Sequence, residues 1–295
     1  MKNSFKETKQ MLAEQERLAK EHLGESSRLV VDYQSQLERE FGYPIVYQSL
    51  GRNGAAGTAR SVWDQNSACQ HHSIDLAPDY PWLEPAHRAH ELMHIELECR
   101  AHAAGIRKSH VAKLSSRTSP IAGLEFQEYG ELFSHGYNVP VDMVVDRTVM
   151  ERWPVLRPAM FLSAFRFQTA NRKSPVSRLL CSPKFFDSIR ALRAASALFT
   201  DCSYGNPSNF FRTYRHFPEG KLGQRLYERF TSSYPLKESD GHYKLADAFA
   251  EALGLPELHQ WHAQTRSELI NSHSGEIAGD SSKSVPSSAA HSIGE

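Results

Sequence analysis

Five consecutive residues, His90-Glu91-Leu92-Met93-His94, carry the strongest chemical signal in the chain. On an α-helix, residues four apart lie on one face, about 6 Å apart along the axis. His90 and His94 then project together and can share one zinc ion at about 2.0–2.1 Å from each ring nitrogen. Glu91 projects beside that face. It is too close in sequence to complete the coordination, but it is placed to take a proton from a water that zinc has made acidic. Two ligands and a general base in five residues suit hydrolysis at a carbonyl. Histidine is also concentrated in this region, with eight of the 15 lying between His71 and His135.

A catalytic site of this kind needs a third protein ligand and a position left open for water. The stretch NVPVDMVVDR places Asp142 and Asp146 four residues apart in a strongly apolar helix. A carboxylate in such a setting needs a partner, because burying it alone is costly. One of the two can ligate zinc while the other accepts the ring N–H of His90 or His94 and fixes its tautomer. Asp142 is favoured as the ligand, with Asp146 as its alternative. Glu125, Glu128, Glu131 and Glu151 are weaker rivals, and His87 is a further candidate one turn before His90. Glu98 and His102 read as a solvated continuation of the helix face. A donor for a developing oxyanion could come from His110, Tyr129, His135, Tyr137 or Arg157. Phe161, Phe165 and Phe167 read as core.

The elements that must hold these groups follow from hydrophobic spacing and from glycine and proline. Residues 4–23 and a segment from Ser26 or Ser27 to Phe41 read as helices, with Gly24 between them. PIVYQSL, TARSVW and HHSIDL read as short strands, with GRNGAAG as a hairpin turn; no GK[ST] follows it, which argues against a phosphate loop. Pro85 opens the helix that carries HELMH, and Gly105 stops it. After a Ser-, Lys- and Arg-rich loop over 106–120, one helix is expected near 124–134. A second is expected from Val139 to Arg152, with Pro140 in its first turn. Arg157-Pro158 begins another, and 183–199, 207–216, 221–233, 243–253 and 256–263 also read as helical. The Ser- and Gly-rich end reads as disordered.

The bulk properties exclude several alternatives. Thirty-four basic residues balance 34 acidic ones, so no global charge advertises a polyanion partner, although a local basic patch stays open. Cys69, Cys99, Cys181 and Cys202 form no CxxC pair, which argues against a cysteine-built zinc site and a disulfide framework. The charged N-terminus lacks the apolar core of a secretory signal, and no apolar run approaches the roughly 20 residues of a membrane span. A cytoplasmic protein is the expectation.

HELMH followed by a helix bearing Asp142-x-x-x-Asp146 resembles the gluzincin arrangement, and most closely the compact intracellular bacterial metallopeptidases that act on phage-type repressors and related regulators. The resemblance covers roughly residues 44–165. It implies His90 and His94 as zinc ligands, Glu91 as the base, Asp142 as the acidic ligand and Asp146 as the carboxylate behind a ligand ring. By the same likeness HHSIDL would wall the cleft and pair with an extended peptide through its edge. The acidic ligand is usually Glu in those proteins, whereas both candidates here are Asp, and no helix-turn-helix segment is evident.

The expected fold is α+β and mostly helical: a zincin-like core with a small antiparallel sheet packed on the HELMH helix, and a helical C-terminal part. The expected divisions are N-terminal helices over 1–43, a metallopeptidase core over 44–180, a helical region over 181–264 and a tail over 265–295. The expected activity is zinc-dependent hydrolysis of a peptide bond in a protein or peptide substrate, with no membrane partner and no indication of direct nucleic-acid binding. The alternative is a partner-binding protein with a structural or vestigial zinc site.

Overall fold

The HELMH segment lies in α3 (Glu84–Ala103), a helix with Pro85 in its first turn. Proline suits that position because its missing N–H would be unpaired there anyway. Residues on several sides of α3 are buried, among them Ala86, Ala89, Leu92, Met93, Ile95, Glu96 and Cys99. A helix buried on several sides is central rather than peripheral. In this computed structural model, which describes residues 2–49, 57–63, 69–76, 80–104, 108–109, 119–173, 176, 178–205, 209–259 and 261–263, α3 packs against helices on one side and a sheet on the other. Residues 51–56 of the glycine-rich turn, His110 and the tail from 264 fall outside the described residues.

Before the sheet come α1 (Lys2–Glu21) and α2 (Leu23–Phe41). The break between them falls at His22, and Gly24 lies inside the first turn of α2 rather than ending α1. The sheet comprises β1 (Ile45–Ser49), β2 (Gly57–Trp63) and β3 (Cys69–Leu76) in the order β1-β3-β2. β2 runs antiparallel to β3, with Thr58 opposite Asp75. β1 runs parallel to β3, with Ile45 opposite His72 and Ser49 opposite Leu76. The sheet is therefore mixed, not wholly antiparallel as expected. β3 is buried from His72 to Leu76, as suits a central strand, whereas Val46 on β1 is 41% exposed. β1 and β2, the strands on either side of GRNGAAG in the sequence, are not neighbours in the sheet, so they do not form the hairpin expected there.

Beyond β4 (Lys108–Ser109), α4 (Phe126–Arg152) is one helix of 27 residues where two were expected. Pro140 lies in its interior and removes the helical hydrogen bond to the Gly136 carbonyl. Packing compensates: Pro140, Val141, Met143, Val144, Val145 and Val149 are all buried. The helix starts with a capping box in which the Glu128 carboxylate accepts from the Glu125 N–H at 3.0 Å.

A 3-10 turn at Pro154–Leu156 leads into α5 (Arg157–Lys173), followed by α6 (Pro183–Tyr204), a second 3-10 turn at Phe210–Thr213, α7 (Pro218–Ser233) and α8 (Gly241–Ala252). Among the described residues, the expected helix over 207–216 is that 3-10 turn, and no helix falls within the expected 256–263. Gly254, at φ 72°, ends α8, and the last described element is β5 (His262–Ala263), paired with β4. One hydrophobic cluster runs from Val30 of α2 through Leu92 of α3 and Val145 of α4 to Phe249 of α8, and both α6 and α8 pack on α4. Among the described residues, no helix is long and apolar enough to cross a membrane.

Candidate metal centre

α3 and α4 pack together with their polar positions facing each other. On α3, the Nε2 atoms of His90 and His94 lie 3.0 Å apart. On α4, Asp142 Oδ1 lies 3.2 Å from His94 Nε2 and 3.7 Å from His90 Nε2. Bond lengths of about 2.0–2.1 Å and tetrahedral angles put ligand atoms roughly 3.3 Å apart around zinc. The three observed separations bracket that value, and these three residues form a group whose geometry could hold a metal ion.

The chemistry of the donor set points the same way. His90 Nδ1 lies 2.8 Å from Asp146 Oδ1, so that nitrogen carries the proton and donates it to the carboxylate. In a neutral His90 this leaves the Nε2 lone pair facing the Nε2 of His94 and the oxygen of Asp142. Acceptors gathered on one point repel unless a proton or a metal cation lies between them. The site's electrostatics favour either. Burial works against the imidazolium of His90, but the Asp142 and Asp146 carboxylates outweigh it and hold its pKa well above the ordinary value. Burial likewise opposes ionisation of Asp142, yet His90 and His94 bring its carboxyl down to about 2. Either a proton or a metal cation would satisfy the acceptors gathered there.

Asp146 does not join the converging group. It sits behind His90, where it holds the ring, and so occupies the supporting position rather than a ligand position. Glu91 is only 7% exposed, and burial pushes its carboxyl up from the ordinary range. His90 and His94 each keep 21% of their side-chain surface open, and Asp142 45%.

The other sequence candidates go elsewhere. His87 lies 2.9 Å from the Ser163 hydroxyl, tying α3 to α5. Glu128 serves the α4 cap and accepts from the Ser182 N–H at 2.6 Å. Glu151 accepts from Arg147 at 2.5 Å and from Tyr234 at 2.8 Å. Tyr129 is buried, with its hydroxyl aimed at the Leu258 carbonyl, and Arg157 donates to the Ser203 carbonyl at 2.6 Å. Of the described oxyanion candidates, His135 and Arg157 are exposed. Desolvation of the His135 ring by the groups packed around it, then the Arg193 guanidinium, lowers its pKa, while Glu131 and Asp142 act in the opposite sense. Phe161 is buried and packs on Phe165, as expected of core, but Phe167 is 53% exposed.

Two expectations near the centre are overturned. β3 has β1 on one edge and β2 on the other, so HHSIDL offers no free edge to a peptide. Glu98, one turn past His94, is not simply solvated. It accepts from the hydroxyls of Tyr137 at 2.9 Å and Tyr243 at 2.6 Å, with His242 Nε2 at 3.5 Å. Although burial opposes it, His242 and the two tyrosines bring the Glu98 carboxyl down to about 2.

Sequence reasoning also passed over Tyr204, at the end of α6. Its hydroxyl is buried without a hydrogen-bond partner among the described residues, and burial followed by the negative charge of Asp146 pushes the phenol well up. Nothing local marks this tyrosine, because it stands more than fifty positions downstream of Asp146, at the far end of α6. No protein-family model matches the chain, and no curated protein or solved structure does either.

Proposed function

We propose that the chain is a zinc metallopeptidase with a zincin-like core of the gluzincin kind, cleaving a peptide bond within a protein or peptide substrate. The observation that carries this reading is the approach of His90 and His94 of a helical HELMH segment to Asp142 of a second helix, all three partly open to solvent. The residues suit a borderline-soft cation: two imidazoles and one carboxylate, with a carboxylate behind one ring. Zinc, when bound, supplies Lewis acidity and lowers the pKa of a water towards neutrality.

This chain's own groups supply the remainder. His90, His94 and Asp142 fix the ion's position, and Asp146 fixes the tautomer and orientation of His90. Glu91 accepts the water's proton and returns it to the departing amine; its raised pKa brings it nearer the range where a general base works best at neutral pH. The burial of Glu91 also favours a second reading, a structural zinc site in a partner-binding protein, because a base must reach the attacking water.

One experiment separates the two. Purified protein should contain one zinc per chain by elemental analysis. Glu91→Gln should keep that zinc while peptide-bond cleavage, followed by comparing proteomes exposed to active and variant protein, falls by roughly 100- to 10,000-fold. Undiminished cleavage by the variant, or purified protein that takes up iron but not zinc, would overturn the peptidase reading.

A further inference from the structure

Charge is balanced over the whole chain but not along it. Residues 157–227 hold twelve Lys and Arg against three Asp and Glu. Two of those three acids are already engaged. Asp201 accepts from the backbone N–H groups of Phe210 at 3.0 Å and Phe211 at 2.8 Å, and Glu219 lies 3.5 Å from Arg190. The excess cations of this stretch have few internal carboxylates to neutralise them.

The fold gathers several of them on one face. α5, α6 and the Phe210–Thr213 turn pack together around Ala194, Ala197, Phe210 and Tyr214. Arg172 of α5 lies over the Phe210 ring at 4.5 Å and donates to the Asn209 carbonyl at 3.1 Å. Arg190 of α6 lies over Tyr214 at 5.8 Å and Phe217 at 5.1 Å. Burial raises the Tyr214 phenol while Arg193, Arg190 and Arg172 pull it down, as expected of three cations grouped about one ring. Arg212 and Arg215 extend from the same turn into solvent, and neither has a carboxylate partner among the described residues. Phe217 beside them is 50% exposed.

We propose that this face, formed by the end of α5, α6 and Phe210–Phe217, binds single-stranded nucleic acid, with the arginines on phosphates and Phe217 stacking a base. An acidic protein surface would also satisfy the charges, and the polyglutamate competitor below tests that partner; the half-open Phe217 ring beside the arginines favours a strand whose bases can stack on it. Guanidinium groups held flat on aromatic rings, next to a half-open phenylalanine, match the pairing of cationic groove and stacking platform that single strands use. A duplex keeps its bases stacked on each other and cannot offer one to Phe217.

The test is fluorescence anisotropy of a short labelled oligothymidine against the full chain, across a salt series, with a duplex and polyglutamate as competitors. Saturable binding in low salt is expected, weakening linearly in log–log form with a slope of about 0.7 per phosphate contact. Arg212→Glu with Arg215→Glu should weaken it on the order of tenfold or more and flatten that slope. Phe217→Ala should cost about fivefold or more with the slope unchanged. Since both arginines are exposed, the variants should melt as the parent does, and R212A with R215A gives a milder second pair. Absence of saturable binding, or variants that bind like the parent, overturns the proposal. So does displacement of the oligonucleotide by polyglutamate with no loss in Phe217→Ala, which would assign the face to an acidic protein. The assay needs no metal, and His90→Ala should bind the oligonucleotide unchanged, so its outcome is separate from that of the zinc site.

Discussion

Asp146 Oδ1 lies 2.8 Å from Nδ1 of His90, on the side of the ring away from His94 and Asp142. A carboxylate in that position orients the ring and makes its other nitrogen a better donor to a metal. Asp146→Ala should therefore keep one zinc per chain but weaken its affinity by about 10- to 100-fold, read by competition with a chromophoric chelator. Affinity equal to the parent's would show that the contact does nothing for the metal.

The residue pairs of this centre and the meeting of its two helices were legible in the sequence, whereas the contacts around the centre were not. His90 with His94, and Asp142 with Asp146, are pairs at helical spacing, so each could be found on its own element. Pro140 divides the second helix by local rules, yet α4 runs unbroken because residues on both sides of that point are buried, Leu132 and Gly136 before it and Val141, Val144 and Val145 after it. Glu98 looked solvated because its partners, His242 and Tyr243, lie on α8, about 145 positions on, and no local pattern links them. Strand order was equally hidden. Three apolar runs say that strands exist, but the central place of β3 depends on pairings between segments rather than on any one of them.

The unbroken α4 gives a paired prediction from two of its glycines. A Cβ at Gly136 would lie 2.7 Å from Leu258 Cδ2 and 3.3 Å from His259 Nε2, both on buried residues, whereas one at Gly130 would meet nothing within 4 Å. Alanine gains about 1 kcal/mol over glycine inside a helix, and overpacking a core costs about 1–3 kcal/mol. Gly130→Ala should raise the melting temperature by a few degrees, and Gly136→Ala should lower it. If both substitutions stabilise, the segment around Leu258 is not seated on α4 as described.

Glu98 gives a pH dependence with a definite sign. Its carboxyl stands at about 2 in the folded chain, below the 4.5 of an unperturbed glutamate. Its contribution is therefore complete above about pH 5 and is lost as pH falls from 4.5 towards 2. Glu98→Gln should be less stable by about 1 kcal/mol at neutral pH, a modest figure because the side chain is 45% exposed. The gap between parent and variant in urea melts should close on acidification. A gap that persists unchanged to pH 3 would mean that the loss comes from packing rather than from the charge held by Tyr137, Tyr243 and His242.

Asp142 offers the sharpest test of how tightly the two helices set the metal position. Its oxygen already stands 3.2 Å from His94 Nε2 and 3.7 Å from His90 Nε2, so the short side chain reaches the site only because α3 and α4 approach closely. Asp142→Ala removes one of the three converging groups and, on the proposed reading, should abolish stoichiometric zinc. Asp142→Glu keeps the charge but adds a methylene where the separations already suit coordination. The carboxylate must then fold back or push the helices apart, and affinity should fall by roughly tenfold, the loss expected when about 1.4 kcal/mol of strain opposes binding. With 45% of its side chain open to solvent, residue 142 has room to take the second route without unfolding the chain, so the variant should melt close to the parent. Zinc bound as tightly by Asp142→Glu as by the parent would show that the helices do not fix the ligand position, and that the close approach of α3 and α4 serves packing alone.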